Sequence, residues 1–465
     1  MSTKLKVYNT LINKIEEFKA MEDGKIGLYT CGPTVYDFAH IGNFRSYVFE
    51  DLVKRYLLYL GYDVDHIMNI TDIDDKTIRK SNQLGVTLNE VTDQYIQSFY
   101  EDIEKLNIIK ADKYPRATEH IDEMIELIDR LKANGLVYTK GNSVYFSIDK
   151  YKDYGKLANI SRENLQSGTG TDSDEYEKDN VQDFVLWKGK KEGEPSWDTK
   201  YGDGRPGWHL ECSAMSMKYL GEQFDIHMGG VDNIFPHHEN EIAQAEGATG
   251  KKFVNFWVHC QHLIVDNQKM SKSLGNFYTL RDLMEKGYDP LAIRYLLIAT
   301  HYRKLLNFTF EGLDMAKQSL KRISDFVFSL EGLKPEDGET QEVSDIIAKN
   351  EEKFRSQMDD DFNISGALGA FFDFIHEVNV RIKDLKKIDV ENVLAYVNRI
   401  DSVIGVLKKA EAGMPDEEIL KKIEERQNAR KNKDFATADA IRDELKAKGI
   451  VLIDTPEGVR WKIEQ

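Results

Sequence analysis

The stretch KIGLYTCGPTVYDFAHIGNFRSYVFEDLVKRYLLYLGYDVDHIM, Lys25 to Met68, decides the fold. Its opening, KIGLYTCG (25–32), is a short apolar run bounded by glycine, the pattern of a buried strand. PTVYDFAHIGNF reads as a loop, and RSYVFEDLVKRYLLYLGY (45–62) has helical periodicity that stops near Gly61. DVDHIMNITDIDD (63–75) reads as a second strand running into an acidic loop. Strand, loop, helix and strand make a βαβ unit, the element of a parallel, doubly wound α/β sheet of the Rossmann type, whose ligands bind at the carboxyl ends of the strands.

A second α/β region lies far downstream. GWHLECSAMSMKYL (207–220) reads as a helix, FDIHMGG (224–230) as a strand and loop, and FVNFWVHCQHLIVD (253–266) as a strand. The two regions are expected to be halves of one sheet split by an insertion. The sequence thus divides into the first half of an α/β domain (1–112), a connective insertion (113–205), the second half (206–300), a helical stem and bundle (301–412) and a small α+β module (413–465). Within the insertion, SGTGTDSDEYEKDN (167–180) reads as a polar, acidic loop.

Composition sets the bounds. Among 465 residues, 41% are hydrophobic and 31% charged, an ordinary globular balance with enough apolar material for several cores. No run approaches the roughly 18 to 20 apolar residues of a membrane span, and the N-terminus carries no apolar leader, so a cytoplasmic protein is expected. The formal net charge of -17 argues against nonspecific nucleic-acid coating but leaves room for an RNA contacted through local basic patches. Three dispersed cysteines, Cys31, Cys212 and Cys260, do not make a disulfide framework. They are core thiols, metal ligands or nucleophiles.

Three motifs carry chemistry. HIGN, His40 to Asn43, lies between the first strand and the first helix, where free backbone N–H groups suit a phosphate; Gly42 admits a flat ligand, and His40 can donate to a phosphate oxygen. KMSKS, Lys269 to Ser273, offers two lysines and two serines on a loop with Gly275 as hinge, suited to neutralising a polyphosphate. FPHHENE (235–241) crowds metal-ligand types onto a helix start, with Pro236 at the first helical position. There, His237 and Glu241 share a face at i,i+4; His238 and Glu241, at i,i+3, are the weaker pair.

HIGN early and KMSKS late, bracketing a split α/β sheet, resemble a class I aminoacyl-tRNA synthetase. With CGPTVYDFAHIGNFR (31–45), NITDIDDK (69–76), GWHLECSAM (207–215), FPHHENE and KMSKSLGNF (269–277), nearly the whole chain resembles the cysteinyl-tRNA synthetases. The resemblance implies one zinc ion on Cys31, Cys212, His237 and Glu241. It implies that Thr71 and Trp208 line a cysteine pocket and that Asp232 holds the substrate amine. His40, Gly42, Asn43, Lys269 and Lys272 would serve ATP, accompanied by magnesium, and its transition state. Cysteinyl-adenylate would then pass to the terminal adenosine of tRNA(Cys). ARKNKDFATADAIRDEL followed by GIVLIDTPEGVRW resembles the anticodon-binding end, with Arg430, Asp439, Asp454 and Trp461 at base-reading positions. Family habit implies a monomer.

The donor set agrees with zinc chemistry, because thiolate, imidazole and carboxylate are all zinc ligands. Size separates cysteine from serine poorly, at best roughly 10- to 200-fold for a methylene-scale difference, whereas a soft thiolate on zinc is a stronger test. Strong rejection of serine without an editing domain is therefore expected. Whether the substrate sulfur adds to four protein ligands or displaces one stays open at this point. Cys260 is expected in the core, His238 to orient or pack, and Glu239 beside the site or in solvent. There are departures: HIGN ends in Asn where the family motif usually has His, and Cys260-Gln261 differ from the usual pair. Two other readings are a ligase joining activated cysteine to a small amine, which would lack residues 413–465, and a zinc-dependent RNA-binding regulator, which would not need His40, Lys269 and Lys272.

Overall fold

The computed structural model describes residues 4–160, 183–407, 416–447, 450–455 and 458–463. The acidic loop 167–180 lies outside them. The central sheet has four parallel strands in the order Val254–Cys260, Phe224–Gly230, Lys25–Thr30, Asp63–Met68. The two distant α/β regions are therefore one sheet, joined where Leu28, Tyr29 and Thr30 pair with Ile226, His227 and Met228. Strand order reverses at this seam, the first half growing to one side and the second to the other, which makes the crevice above it the topological switch point.

Alternation along the strands fills both faces. Ile26, Leu28, Val64, Met68, Ile226, Met228, Phe256 and Val258 face a core shared with the helix Ile41–Tyr59 and the C-terminal helices. Tyr29, Ile67, Phe224, Val254 and Trp257 face the helices Trp208–Leu220 and Glu239–Thr249 through Cys212, Ile242 and Ala245. Helices thus cover both faces, as an all-parallel sheet requires.

The insertion forms an antiparallel sheet, Val137–Lys140, Ser143–Phe146, Phe184–Gly189 and Gly204–Pro206, with its own core against the helix Ile121–Ala133. Helices Pro290–Ala299, Phe310–Glu331, Gln341–Met358, Ile364–Asn379 and Lys387–Ile404 follow. A buried charge cluster ties them to the helix Ile41–Tyr59. Arg294 and Arg55 both pair with Asp51, at 2.5 and 2.7 Å, while Arg294 Nε donates to Ile404 O at 2.8 Å. The last module pairs helices Asp416–Lys431 and Phe435–Ala447 with the hairpin Ile450–Thr455/Gly458–Ile463 over Ile419, Ile423, Ile441 and Leu445.

Three local expectations need correction. The first helix begins at Ile41, not at Arg45, so Gly42 and Asn43 lie inside its first turn. His40 caps it: Nδ1 accepts from Asn43 N–H at 3.2 Å, and Asn43 Oδ1 accepts from His40 N–H at 3.1 Å. Periodicity alone starts the helix late because these cap residues are polar or small. The run 253–266 is two strands, Val254–Cys260 and Leu263–Val265; the second pairs with Leu306–Phe308 in another sheet. Pro236 does not open an α-helix. It follows a cis peptide bond in a wide turn, Ile234–His238, and the helix proper is Glu239–Thr249.

Candidate functional site

Four candidate ligands converge at the carboxyl ends of the central strands. Cys31 follows Lys25–Thr30, Cys212 lies on the helix Trp208–Leu220, and His237 and Glu241 flank the start of Glu239–Thr249. Their ligand atoms all lie within 4.8 Å of one another. Three of the four residues are buried, and Cys31 is partly exposed. Glu241 Oε2 accepts from His227 Nε2 at 2.8 Å. Its Oε1 stands 3.0 Å from His237 Nε2 without hydrogen-bond alignment and is a fully buried oxygen lacking a partner. An orphaned carboxylate oxygen beside two thiols and an imidazole fits a cation.

The charges agree. The Cys31 thiol donates to Cys212 and, with the neighbouring His237, pulls the Cys212 thiol down to about 6 against its burial. Burial, then the Cys212 sulfur and Glu241, push the Cys31 thiol well up. His237 is opposed by burial, yet Glu241 and Cys212 raise it to about 10. Burial likewise opposes ionisation of Glu241, but His227 and His237 hold it near 2. The pocket stores negative charge that protons only partly balance.

Cys31 and Glu241 also belong to a second possible set with His227 and His238. In that set His227 is already committed to Glu241 Oε2. His238 packs against Trp257 and His227, bonds His259 at 2.8 Å, and stands 3.2 Å from Cys31 Sγ. These contacts are those of a side chain that orients and packs, although its Nε2 also stands within the second possible ligand set. Cys260 is a core thiol, pushed up to about 12 mainly by burial. Glu239 differs from expectation. It is fully buried and accepts from the backbone N–H of Gly155, Leu157 and Ala158 at 2.8, 2.9 and 3.0 Å, fastening the insertion to the ligand-bearing helix.

HIGN and KMSKS meet. His40 bridges Thr279, and Ile41 N–H donates to Tyr278 O at 3.0 Å. A Cβ on Gly42 would fall 2.9 Å from His40 Nδ1 and 3.2 Å from Met270 Cε, so glycine is what lets the second motif close on the first. Burial, aided by Lys272, depresses His40 to about 4 despite nearby Asp232; with Nδ1 accepting from Asn43, the neutral ring carries its proton on Nε2. Lys272 pairs with Asp37 at 2.7 Å, while Lys269 is exposed. Gly275, at φ +68°, ends the short turn Lys272–Leu274, whose cap is Ser271.

Trp208 stacks on His237 with centroids 4.1 Å apart. Thr71 is buried and bonds Glu211 Oε2 at 2.9 Å; Asp232 is exposed in the turn Val231–Asn233. Sequence reading missed His209, His227, Glu211, Asp37 and Met270. His209 stood in plain view inside GWHLECSAM, three positions before Cys212 and so on its face of the helix, whereas helical spacing does not mark Glu211. Nothing local marks His227 or Asp37.

At the far end, Arg430 and Asp439 are exposed on adjacent helices, with Asp439 3.2 Å from Arg442. Asp454 pairs in register with Val459, and Trp461 with Leu452; the side chains of Asp454 and Trp461 lie outside the described residues.

Comparison with known proteins accounts for this arrangement. Residues 17–318 match the tRNA synthetases class I (C) catalytic domain, 353–408 the DALR domain, and 417–461 the cysteinyl-tRNA ligase anticodon binding domain. The chain is 48% identical over 468 residues to the cysteine–tRNA ligase of Brachyspira hyodysenteriae, covering 98% of both chains. It is 49% identical over 471 residues to that of Chlamydia muridarum, covering 98% of this chain and 99% of the relative. Mycobacterium tuberculosis methionyl-tRNA synthetase, solved with methionyl-adenylate, shares the fold at TM-score 0.59 and 16% identity, over 82% of this chain and 90% of its own. An Agrobacterium radiobacter leucyl-tRNA synthetase does so at TM-score 0.60 and 12% identity, over 83% and 85%. No helix among the described residues is long and apolar enough to cross a membrane. By the match of its catalytic, DALR and anticodon-binding segments and by near-full-length identity approaching one half, the chain belongs to the cysteinyl-tRNA synthetases, within the class I aminoacyl-tRNA synthetases.

Proposed function

We propose how this ATP-dependent cysteine–tRNA ligase divides its chemistry among its residues. The observation that carries the reading is the buried cluster of Cys31, Cys212, His237 and the partnerless Glu241 Oε1 at the switch-point crevice, beside the HIGN–KMSKS contact. A zinc ion would be held by these four residues and would supply a soft centre for the substrate thiol. Of the two possible sets this one is favoured, because it brings in the second thiol, Cys212, while in the other His227 already spends Nε2 on Glu241 Oε2.

Trp208 and Thr71 shape the cysteine pocket, and Asp232 at its open side holds the ammonium. His40 donates from Nε2 to a phosphate oxygen of ATP, which magnesium accompanies; Gly42 and Asn43 present the helix N-terminus. The cysteine carboxylate attacks the α-phosphorus and pyrophosphate leaves. Lys269 and Lys272 neutralise the charge that develops, Lys272 leaving Asp37 to do so. A carboxylate nucleophile is already ionised, so positioning and charge stabilisation replace a general base. The 2′-hydroxyl of the terminal adenosine then attacks the adenylate carbonyl and AMP leaves.

Arg430, Asp439, Asp454 and Trp461 are assigned to the anticodon, since arginine suits guanine edges, aspartate accepts from base amino groups and tryptophan stacks. The same reading assigns 1–112 and 206–300 to the catalytic domain, 113–205 to the insertion, 301–412 to the helical stem and 413–465 to the anticodon module. It also has the enzyme working as a cytoplasmic monomer. The test is charging of purified cysteine-accepting tRNA with labelled cysteine, with serine run alongside. Cysteine charging alone is expected, and equal charging with serine refutes the zinc-based selection.

A further inference from the structure

A largely buried chain of hydrogen bonds runs from Gly32 to Glu211. Gly32 N–H donates to Asn69 Oδ1 at 3.0 Å, which fixes the orientation of that amide. Asn69 Nδ2 then donates to Thr71 Oγ1 at 3.2 Å, and Thr71 donates its own hydroxyl proton to Glu211 Oε2 at 2.9 Å. Because a backbone N–H starts the sequence, the Asn69 amide can only donate to Thr71, and the Thr71 hydroxyl joins that amide to the Glu211 carboxyl. Asn69, Thr71 and Glu211 are 2%, 1% and 0% exposed, so no bulk water competes.

The backbone holds the same registration. Thr71 N–H donates to Pro33 O at 3.1 Å, and Val35 N–H donates to Thr71 O at 3.2 Å. A Cβ on Gly32 would fall 1.7 Å from Asn69 O, so Gly32 is what permits the two segments to touch. The chain begins one residue after Cys31 and ends one residue before Cys212. It therefore gives the NITDIDDK motif a place between the two sulfur ligands.

A hydroxyl has one proton and two lone pairs. In Thr71 one lone pair is committed to Asn69 and a second position to the Glu211 carboxyl, which leaves one position for a ligand. We infer that Asn69 and Glu211 are positioning residues that hold the Thr71 hydroxyl in one orientation, so that its remaining hydrogen-bonding position meets the bound amino acid. This rests on the pocket role of Thr71 proposed above.

The test is cysteine-dependent ATP–pyrophosphate exchange, with zinc content measured on each variant. Thr71→Val and Glu211→Met should each raise the KM for cysteine about tenfold, the order expected for one lost hydrogen bond, and leave the KM for ATP alone. The double variant should be no worse than either single one, because both remove the same oriented hydroxyl. Glu211→Gln, whose carbonyl can still accept from Thr71, should restore the KM to within about twofold. If Glu211→Met does not fold, Glu211→Ala replaces it in the cycle. An unchanged KM in Thr71→Val refutes the pocket role itself. A raised KM there with an unchanged one in Glu211→Met, multiplied effects in the double variant, or a KM that merely follows lost zinc overturns the positioning role alone.

Discussion

Replacing His227 by phenylalanine separates the two possible ligand sets. His227 is fully buried, donates from Nε2 to Glu241 Oε2 at 2.8 Å, and stacks on Trp257 with centroids 4.5 Å apart. Phenylalanine keeps the stacking ring and removes the donor. If zinc sits on Cys31, Cys212, His237 and Glu241, His227 only aims the carboxylate. Losing such a supporting bond weakens metal binding by about 10- to 100-fold, or roughly 1.4–2.7 kcal/mol. Glu241 Oε2 would also be left buried without a partner, costing about 1–3 kcal/mol of stability. The assay is zinc competition against a chromophoric chelator, with urea unfolding of the metal-free protein beside it. Zinc binding abolished in His227→Phe but kept within 100-fold in His237→Phe would refute the assignment, since His227 would then be a ligand.

Three further outcomes are expected. Gly42→Ala should leave thermal stability within about 1 kcal/mol, because the helix propensity alanine adds is offset where its Cβ displaces the capping His40 ring. It should nevertheless raise the KM for ATP, because the new Cβ meets the His40 ring at 2.9 Å; an unchanged KM counts against the HIGN–KMSKS contact. His66 is 3% exposed and depressed to about 3, chiefly by burial, from its ordinary 6.5. Its neutral folded form favours the native state above pH 6.5, and that contribution is lost as pH falls from 6.5 toward 3. Unfolding free energies of the native chain and His66→Gln should therefore converge by about 2 kcal/mol between pH 7 and 5, and a constant gap would contradict this. Glu239→Gln turns one acceptor oxygen into a donor facing backbone N–H groups. Amide exchange at Gly155, Leu157 and Ala158 should speed up about tenfold or more while Lys25–Thr30 is unaffected, and equal protection would show that the three bonds are unimportant.

The catalytic half of the fold was legible in the sequence because its signals are local. Glycine-bounded apolar runs mark buried strands, and the helix Ile41–Tyr59 shows its period even though its true start hides in a cap. Motif order and residue chemistry also named the four candidate ligands, since thiols, an imidazole and a carboxylate are recognisable as types wherever they stand. Which ring nitrogen and which carboxylate oxygen face the site is another matter. Only folding brings Tyr29 beside His227, seats Glu241 between His227 and His237, and lays Met270 against Gly42, because those neighbours arrive from strands and loops far apart in the chain. Glu239 shows the limit most clearly. On a helical wheel it is one more polar residue at a helix start. In the folded chain the insertion presents three N–H groups to it, and burial makes meeting them obligatory. Sequence carries what is local in periodicity and chemistry; direction, protonation and partner choice depend on distances that long-range packing alone creates.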